Sequence, residues 1–591
     1  MQPTVSQGGA ASPLTLGFVV QPLRGIRIVS ISRVWPNLEL RSLLLALLLL
    51  LVLPQALAAD EPLHWRIDEL VAEGNADFVS RAAPRADDAE FIRRIYLDFV
   101  GTIPTADEVS SFLSDPDFDK RTRLIDRLLD DPRHVRRLQY VFDVMLMERR
   151  PDKNVTSKEW REYLRQSFLE NKPLDQLVRE ILSADGSDPK LRPAVKFVLD
   201  RNLDADLVTR DIGRIFLGRD MQCAQCHDHP SVDDYLQRHY FGITAFFKRS
   251  YLFTDPKTKK VSIGEKAEGE VTFVSVFTDV KGETGPRMLD LPGITDPPPA
   301  KKPYVVKPAK KTRAVPVYSR RLKLATAMTD PSNVAFRRNM ANRIWALMMG
   351  RGLVEPLDMW HSDNPPSNPK LLNLLAGEFL DTGYNVRHLL RQLALSKTYQ
   401  RSSRLPDGVK PLPADRFAVS ILKPLLPEQL ACSIMQATGL TDRKLSGIKL
   451  KLEKDKKAAA DVRKKSFQIE RALHDAQAAN VNLFVTTFAH AGVQSTGFDP
   501  SADQALFLRN GTLLQGWLKP DEGNLGDRLM RLDDSRQIAV ELYLSSLSRN
   551  PTDEEAAEVK NYLIACGEDR ATGLRELAWA LLTSAEFRFN H

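Results

Sequence analysis

The feature that most constrains the fold is a helical spacing of apolar residues, which continues over most of the chain. Thr105 and Glu108 have the spacing of a capping box, in which the two side chains satisfy the free amides of a helix start. The apolar residues that follow have helical spacing: Val109, Phe112 and Leu113. A second helix is expected after Asp119, with its end before Pro132. The chain is therefore predicted to be mainly α-helical.

One segment, between about residues 250 and 320, breaks this helical pattern. Residues 260–263 and 270–277 are rich in β-branched side chains and are separated by glycines, which predicts a small antiparallel sheet. The prolines at 297–299 and the Lys/Pro-rich sequence after them are typical of a stiff, exposed linker. We therefore expect two helical bodies joined by a small antiparallel β-rich insert and a Pro/Lys linker.

The predicted organisation has four parts. A leader occupies residues 1–59, a helical domain 60–250, the β-rich insert with its linker 251–322, and a second helical domain 323–591. A chain of 591 residues can bury a large core without disulfide bonds, and its four cysteines do not form a disulfide framework.

Composition narrows the class of protein. With 43% hydrophobic and 27% charged residues, the chain falls among ordinary globular proteins, which excludes a disordered or collagen-like chain. The net charge of +7 does not indicate a nucleic-acid partner, because much of it lies in the leader. Residues 1–59 carry four Arg against one Glu, so the rest of the chain has only a small positive excess. The basic runs at 301–313 and 443–465 are interrupted by prolines or acidic residues and are typical of solvated surface. Binding to nucleic acid is therefore disfavoured.

The N-terminal segment indicates export. An unbroken apolar run from Leu43 to Leu53 follows Arg41 and precedes small residues, which predicts a signal peptide cut after Ala58 or Ala59. The run is shorter than the roughly 20 residues of a membrane span, and an uncleaved N-terminal membrane anchor is the alternative. We expect the mature chain to be periplasmic, or extracellular at the cell surface.

The strongest chemical signal is the sequence CAQCHDHP at residues 223–230. C-x-x-C-H is the attachment signature of c-type haem, in which two thiols bond to the macrocycle and the histidine binds iron. Cys223 and Cys226 are therefore predicted to hold haem c, with His227 as the proximal iron ligand. Export agrees with this prediction, because haem of this type is attached outside the cytoplasm.

Two other interpretations of the same cysteines stay open. Cys223 and Cys226 could bind zinc together with His229 or His227 and a fourth ligand such as His239. The two cysteines could also form a local disulfide in an oxidising compartment. For the haem hypothesis the sixth iron ligand is not defined, and His239 or a distant Met or His is a candidate. The remaining cysteines, Cys432 and Cys566, are expected to be buried free thiols.

The chain resembles a two-domain family. Its first half is similar to the planctomycete cytochrome-type domain, domain of unknown function fifteen-forty-nine, at residues 91–105 (FIRRIYLDFVGTIPT), 216–218 (FLG), 223–230 (CAQCHDHP) and 240–247 (YFGITAFF). Its second half resembles the usual companion, domain of unknown function fifteen-fifty-three, at residues 342–345 (NRIW), 350–354 (GRGLV), 365–369 (PPSNP), 547–549 (LSR) and 584–587 (SAEF).

This resemblance implies an exported protein with a haem motif at Cys223, Cys226 and His227. It also implies partners among redox or polysaccharide-processing proteins outside the cytoplasm. No recognisable catalytic motif is present, so a stand-alone enzyme is not expected. Asp98 is interpreted as a helix-end cap and Asp228 as a hydrogen-bonding residue near the Cys–His loop. The leading hypothesis is electron transfer or redox sensing; the alternative is a non-catalytic scaffold that binds carbohydrate or protein, with a structural Cys–His cluster.

Overall fold

The computed structural model describes residues 61–73, 77–279, 281–454, 461–489 and 501–591. The predicted leader and its cleavage near Ala58 or Ala59 lie outside these residues. Pro62–His591 forms one compact unit. In the described part of the chain, no helix combines the length and the apolar character that crossing a membrane requires.

The part of the chain before residue 250 is built from helices, most of them short. They are α1 Leu63–Ala72, α2 Phe78–Arg81, α3 Asp88–Phe99, α4 Ala106–Ser114, α5 Lys120–Asp130, α6 Pro132–Met147, α7 Ser157–Leu169, α8 Leu174–Ser183, α9 Lys196–Leu199, α10 Ala205–Leu217 and α11 Gln237–Thr244. Two turns of 3₁₀ helix are formed by Arg192–Val195 and Cys223–Gln225.

The β-rich insert follows α11. Its strands are β1 Ser250–Thr254, β2 Val261–Glu265, β3 Val271–Val274, β4 Lys281–Thr284, β5 Tyr304–Val306 and β6 Val315–Pro316. Each odd-numbered strand pairs with the next in an antiparallel two-stranded sheet. Ser250 lies opposite Glu265 in the first sheet, and Val271 lies opposite Thr284 in the second. A mainly α fold with small antiparallel β inserts is thereby confirmed.

Helices resume after the insert. They are α12 Arg320–Met328, α13 Val334–Met349, α14 Pro369–Asp381, α15 Val386–Leu395, α16 Pro427–Ala437, α17 Leu440–Lys454, α18 Val462–Phe488, α19 Ala502–Asn510, α20 Thr512–Leu518, α21 Leu525–Met530, α22 Ser535–Leu547, α23 Asp553–Cys566, α24 Arg570–Thr583 and α25 Ala585–Arg588. A 3₁₀ turn is formed by Ala414–Arg416, and the short strands β7 Lys423–Pro424 and β8 Phe589–Asn590 pair with each other.

Local sequence signals explain several helix ends. The Thr105 hydroxyl accepts the amide of Glu108, and the Glu108 carboxylate accepts the amide of Thr105, so the predicted capping box opens α4. The second predicted helix, α5, follows Asp119 and ends at Asp130. Asp131 then caps α6, whose first residue is Pro132, a position where the missing amide of proline is tolerated.

Two hydrophobic clusters form the core. The first contains buried residues from Leu63 to Ala418, and therefore includes helices on both sides of the β-rich insert. The second contains buried residues from Leu430 to Phe587, joined by Leu97 and Ile103 from the N-terminal part of the chain. The core thus divides between residues 418 and 430, whereas the linker expected from the sequence lies at 251–322.

Helix α3, which carries the IRRIYLDF sequence, is buried along nearly its whole length. Arg93 donates to the carbonyls of Ser546 at 3.0 Å and Phe587 at 2.9 Å. Arg94 donates to the carbonyls of Tyr399 at 2.6 Å and Arg401 at 2.7 Å. Both arginines therefore hold the C-terminal half of the chain against the N-terminal half.

Asp98, at the end of α3, is not the helix cap expected from the sequence. Its carboxylate accepts the Lys423 ammonium at 2.6 and 2.7 Å, the Tyr399 hydroxyl at 2.9 Å and the Asn590 amide at 2.9 Å. Lys423 also donates to the carbonyl of Met348 at 2.9 Å. The helix-cap interpretation was wrong because these partners are hundreds of residues away in the sequence. We call this set of contacts the Asp98 junction.

Candidate functional site

The C-x-x-C-H sequence forms a tight turn between α10 and α11. The Cys226 amide donates to the Cys223 carbonyl at 3.2 Å, which gives the 3₁₀ geometry. In a 3₁₀ turn the side chains of residues i and i+3 eclipse, so both thiols lie on the same side of the turn. Both cysteines are exposed free thiols, whereas Met221 and Ala224 are fully buried and anchor the turn. The two predicted attachment residues therefore face solvent together.

His227 is partly exposed, and its orientation is fixed by its backbone neighbour. Its Nδ1 lies 2.7 Å from the carbonyl oxygen of Asp228. Because a carbonyl only accepts, Nδ1 carries a proton, and Nε2 is the nitrogen that a neutral ring in this position offers to a metal. A histidine that ligates a metal is commonly oriented in this way.

A hairpin of the β-rich insert lies beside this turn. The Val276 amide donates to the Cys226 carbonyl at 3.0 Å, and the Phe277 ring lies 4.5 Å from the His227 ring, centroid to centroid. Phe277 is 73% exposed and Val276 is 62% exposed. Exposed apolar side chains grouped in this way mark a surface that is suited to an apolar ligand or partner.

The residues present fit a c-type haem. Two thiols lie on one side of a turn, the adjacent imidazole presents Nε2, and apolar side chains lie next to that imidazole. Asp228 stabilises the loop, because its carboxylate accepts the Gln237 amide at 2.7 Å, as its sequence position led us to expect.

The histidines of the zinc hypothesis have other partners. The Nδ1 of His229 accepts the Ser231 amide at 3.2 Å, and the Nδ1 of His239 lies 2.9 Å from the Asp234 carbonyl. Burial lowers the pKa of His239. No group of three or more His, Cys, Asp or Glu side chains suited to a metal ion occurs among the described residues. The side chains of the alternative tetrahedral zinc set are therefore not brought together in this part of the chain.

The sequence did not indicate that the second half of the chain contributes to this region. The Tyr235 ring lies between two histidines, with centroids 5.9 Å from His229 and 5.7 Å from His361. The Tyr235 hydroxyl donates to the Trp360 carbonyl at 3.0 Å. Residues 358–361 thus hold the loop that follows the Cys–His turn. The nearest signal in the sequence is the PPSNP motif, which begins four residues after His361.

The chain that enters the Cys–His turn is held by the same segment. The Asp220 amide donates to the Asp358 carbonyl at 2.7 Å, and the Trp360 amide donates to the Gly218 carbonyl at 3.0 Å. Gly218 is the C-cap that follows α10, with a φ of +69°, and a Cβ there would lie 2.7 Å from the Asn339 side-chain oxygen. A glycine is therefore required at this position, both by the backbone conformation and by the close contact.

The other two cysteines lie elsewhere in the fold. Cys432 and Cys566 are free thiols, but each is only partly buried. Burial of its sulfur raises the pKa of Cys432 to about 12, so this thiol is uncharged near neutral pH.

Comparison with known families gives the class of protein. Residues 66–251 match the family model PSCyt2, a protein of unknown function (DUF1549), and residues 320–563 match PSD1, a protein of unknown function (DUF1553). The chain belongs to the proteins that carry DUF1549 followed by DUF1553, in the order predicted from its motifs. No curated protein and no solved structure matches the chain.

Proposed function

We propose that the protein is an exported, c-type cytochrome-like haem protein that serves electron transfer or redox sensing. The observation that carries this proposal is the pair of exposed thiols, Cys223 and Cys226, on one turn next to an imidazole whose Nε2 has no hydrogen-bond partner among the described residues. Electron-transfer or sensing partners would be redox or polysaccharide-processing proteins outside the cytoplasm.

Each residue of the turn has a defined role in this proposal. Cys223 and Cys226 would form the thioether bonds, and His227 would bind iron through Nε2 while its Nδ1–H donates to the Asp228 carbonyl. Haem bound in this way supplies a one-electron carrier. Phe277 lies against the His227 ring and would shield it from water on one side. This apolar contact would favour the oxidation state of the haem iron that carries less charge.

Covalent attachment is the direct test. The full chain is produced together with a haem-attachment system, extracted with acid and organic solvent, and run on a denaturing gel that is stained for haem. We expect stain on the wild type, weakened or lost in Cys223→Ala and Cys226→Ala. The matched controls Cys432→Ala and Cys566→Ala should keep the stain.

His227 is tested by spectroscopy, because its substitution should disturb iron ligation and shift the Soret band. Wild-type protein with no Soret band but with stoichiometric zinc would overturn the redox proposal. The Cys–His cluster would then be structural, and the scaffold function would take its place.

A second candidate function is a scaffold that binds carbohydrate or protein partners, and an open cleft of about 780 Å³ favours it. Trp65 and Phe118 line this cleft and are 57% and 87% exposed. Its polar wall includes Lys397 and Arg85, whose guanidinium donates to Gln400 at 2.9 Å. Exposed aromatic rings beside hydrogen-bonding groups suit the flat, polar rings of sugars.

Affinity electrophoresis in gels that contain a soluble polysaccharide tests this candidate. Trp65→Ala and Phe118→Ala should abolish retardation of the full chain. Phe277→Ala is the control, since it removes an equally exposed ring outside the cleft. Equal mobility of wild type and all three variants in every gel would eliminate carbohydrate binding at the cleft.

A further inference from the structure

A second concave site lies on the other cluster of the core, where the two family regions meet. A cavity of about 400 Å³ opens between α6, α16, α17 and α18 and the loop that follows α3. Its apolar wall includes Leu445, Ile469, Leu473 and Val481. This volume and this lining are typical of a site for a small organic molecule.

The loop that lines the cavity belongs to the FVGTIPT motif. The role proposed for the Cys–His turn does not account for this motif. Thr102 lines the cavity and is 7% exposed, and its hydroxyl has no hydrogen-bond partner in the described part of the chain. A buried hydroxyl without a partner is unfavourable, so Thr102 is a polar group of the wall that the described residues leave unsatisfied.

Another wall of the cavity carries a neutral polar pair. The Tyr140 hydroxyl lies 2.8 Å from the Nε2 of His474. Burial lowers the pKa of His474 to about 4, and burial also raises the pKa of Tyr140, so neither ring is charged at neutral pH. The pair therefore offers hydrogen bonding without adding charge to the cavity.

The charged groups of the cavity leave one carboxylate without a cation. Arg133 pairs with Asp131 at 2.7 Å, and Arg136 pairs with Glu470 at 2.9 Å. The Asp442 carboxylate instead accepts only the neutral amide of Gln436, at 3.2 Å, among the hydrogen bonds of the described residues.

The wider surroundings of Asp442 supply no ion pair to its carboxylate in the described part of the chain. Its pKa is raised by burial, and Glu108 and Asp107 add to this effect, while Gln436 and Arg528 oppose it. Lys449 lines the cavity but is exposed. A cation inside the cavity would thus give the Asp442 carboxylate an ion-pair partner.

We infer that this cavity binds a small organic cation, an amine with an apolar body, whose ammonium group pairs with Asp442. The apolar body would pack against Leu445, Ile469 and Leu473. This inference does not depend on haem attachment, because none of the cavity residues belongs to the Cys–His turn.

Benzylamine is the probe, with benzyl alcohol and benzoate as neutral and anionic ligands of similar size. Titration calorimetry on the full chain should show that benzylamine binds at least tenfold more tightly than either of them, since only its ammonium group can form a charge-assisted hydrogen bond with the Asp442 carboxylate. Equal binding of all three, or no binding of benzylamine at millimolar concentration, would overturn the inference. This ligand series needs no variant.

Variants then locate the site. Asp442→Asn should weaken benzylamine binding about tenfold or more, and Ile469→Trp should abolish it by filling the cavity. Asp381→Asn, which changes an exposed aspartate at the end of α14, should leave binding unchanged. Undiminished binding in folded Asp442→Asn and Ile469→Trp proteins would place the amine elsewhere and refute the assignment.

Discussion

The Asp98 junction and the Cys–His turn both carry family motifs, but they differ in how their polar groups are satisfied. At the junction Asp98 is 5% exposed. Its carboxylate accepts hydrogen bonds from the side chains of Lys423, Tyr399 and Asn590. At the turn the thiols are exposed and have no protein partner among the described residues, and the His227 ring bonds only to its neighbour's carbonyl. A motif whose side chains are saturated within the fold serves stability, whereas a motif whose side chains face solvent is available for a ligand.

The largest effect is expected from breaking the junction. Lys423→Met leaves Asp98 as a buried carboxylate without its cation, and removing one partner of a buried ion pair costs about 3–5 kcal/mol. We expect this loss in the free energy of unfolding, measured by urea denaturation. The exposed pair of Arg536 and Asp553 is the control, and Arg536→Met should cost less than about 1 kcal/mol.

A double variant separates charge from packing at the junction. Asp98→Asn combined with Lys423→Met removes both charges, so it should be more stable than Lys423→Met alone. A Lys423→Met protein within about 1 kcal/mol of wild type would show that the junction is not a determinant of stability.

The second prediction concerns pH. His134 is buried, its Nδ1 bonds to the Phe99 carbonyl at 2.9 Å, and burial lowers its pKa from 6.5 to about 4. Between these values the unfolded chain binds a proton that the folded chain does not, so stability should fall as pH decreases from about 6.5 to about 4. At about 1.4 kcal/mol per pKa unit, this one group accounts for up to roughly 3 kcal/mol.

The measurement compares wild type with His134→Asn by urea denaturation at several pH values. The variant should lose less stability on acidification, because it lacks the buried histidine. The carboxylates contribute equally to the pH dependence of both proteins, so their contribution cancels in the comparison. Parallel pH profiles would contradict the assignment of His134 as a neutral buried group.

The third prediction tests the connection between the Cys–His region and the second half of the chain. Tyr235→Phe removes the hydroxyl that donates to the Trp360 carbonyl and should cost about 1 kcal/mol. Hydrogen exchange should then rise in residues 218–240 and 356–364 but not in α3. Tyr562→Phe, which removes an exposed hydroxyl that bonds to Glu576, is the matched control and should change neither region. Increased exchange throughout the protein would show general destabilisation instead.

The sequence predicted those features whose determinants lie close together along the chain. The capping box of Thr105 and Glu108 and the span of α5 were correct because their determinants lie within a few residues of one another. The C-x-x-C-H motif was recognised from its spacing alone, and its role as a haem site stays a prediction. The partner of Asp98 and the contact of Tyr235 with Trp360 could not be predicted, because those pairs are separated by 325 and 125 residues. Only the packing of distant helices brings such groups together.

The smallest effect on stability is expected from substitutions in the Cys–His turn, in contrast to the large effect expected at the Asp98 junction. Cys223→Ala and Cys226→Ala remove exposed thiols that make no contact in the core, so each should change the free energy of unfolding of the haem-free protein by less than about 0.5 kcal/mol. Ala224→Leu, placed between them, should cost about 1–3 kcal/mol, because Ala224 is fully buried and a larger side chain there would overpack the core. Urea denaturation of the three variants, all purified without haem, measures both values. A large loss for either cysteine variant would mean that the thiols support the fold, and the turn would then belong with the Asp98 junction among the structural motifs.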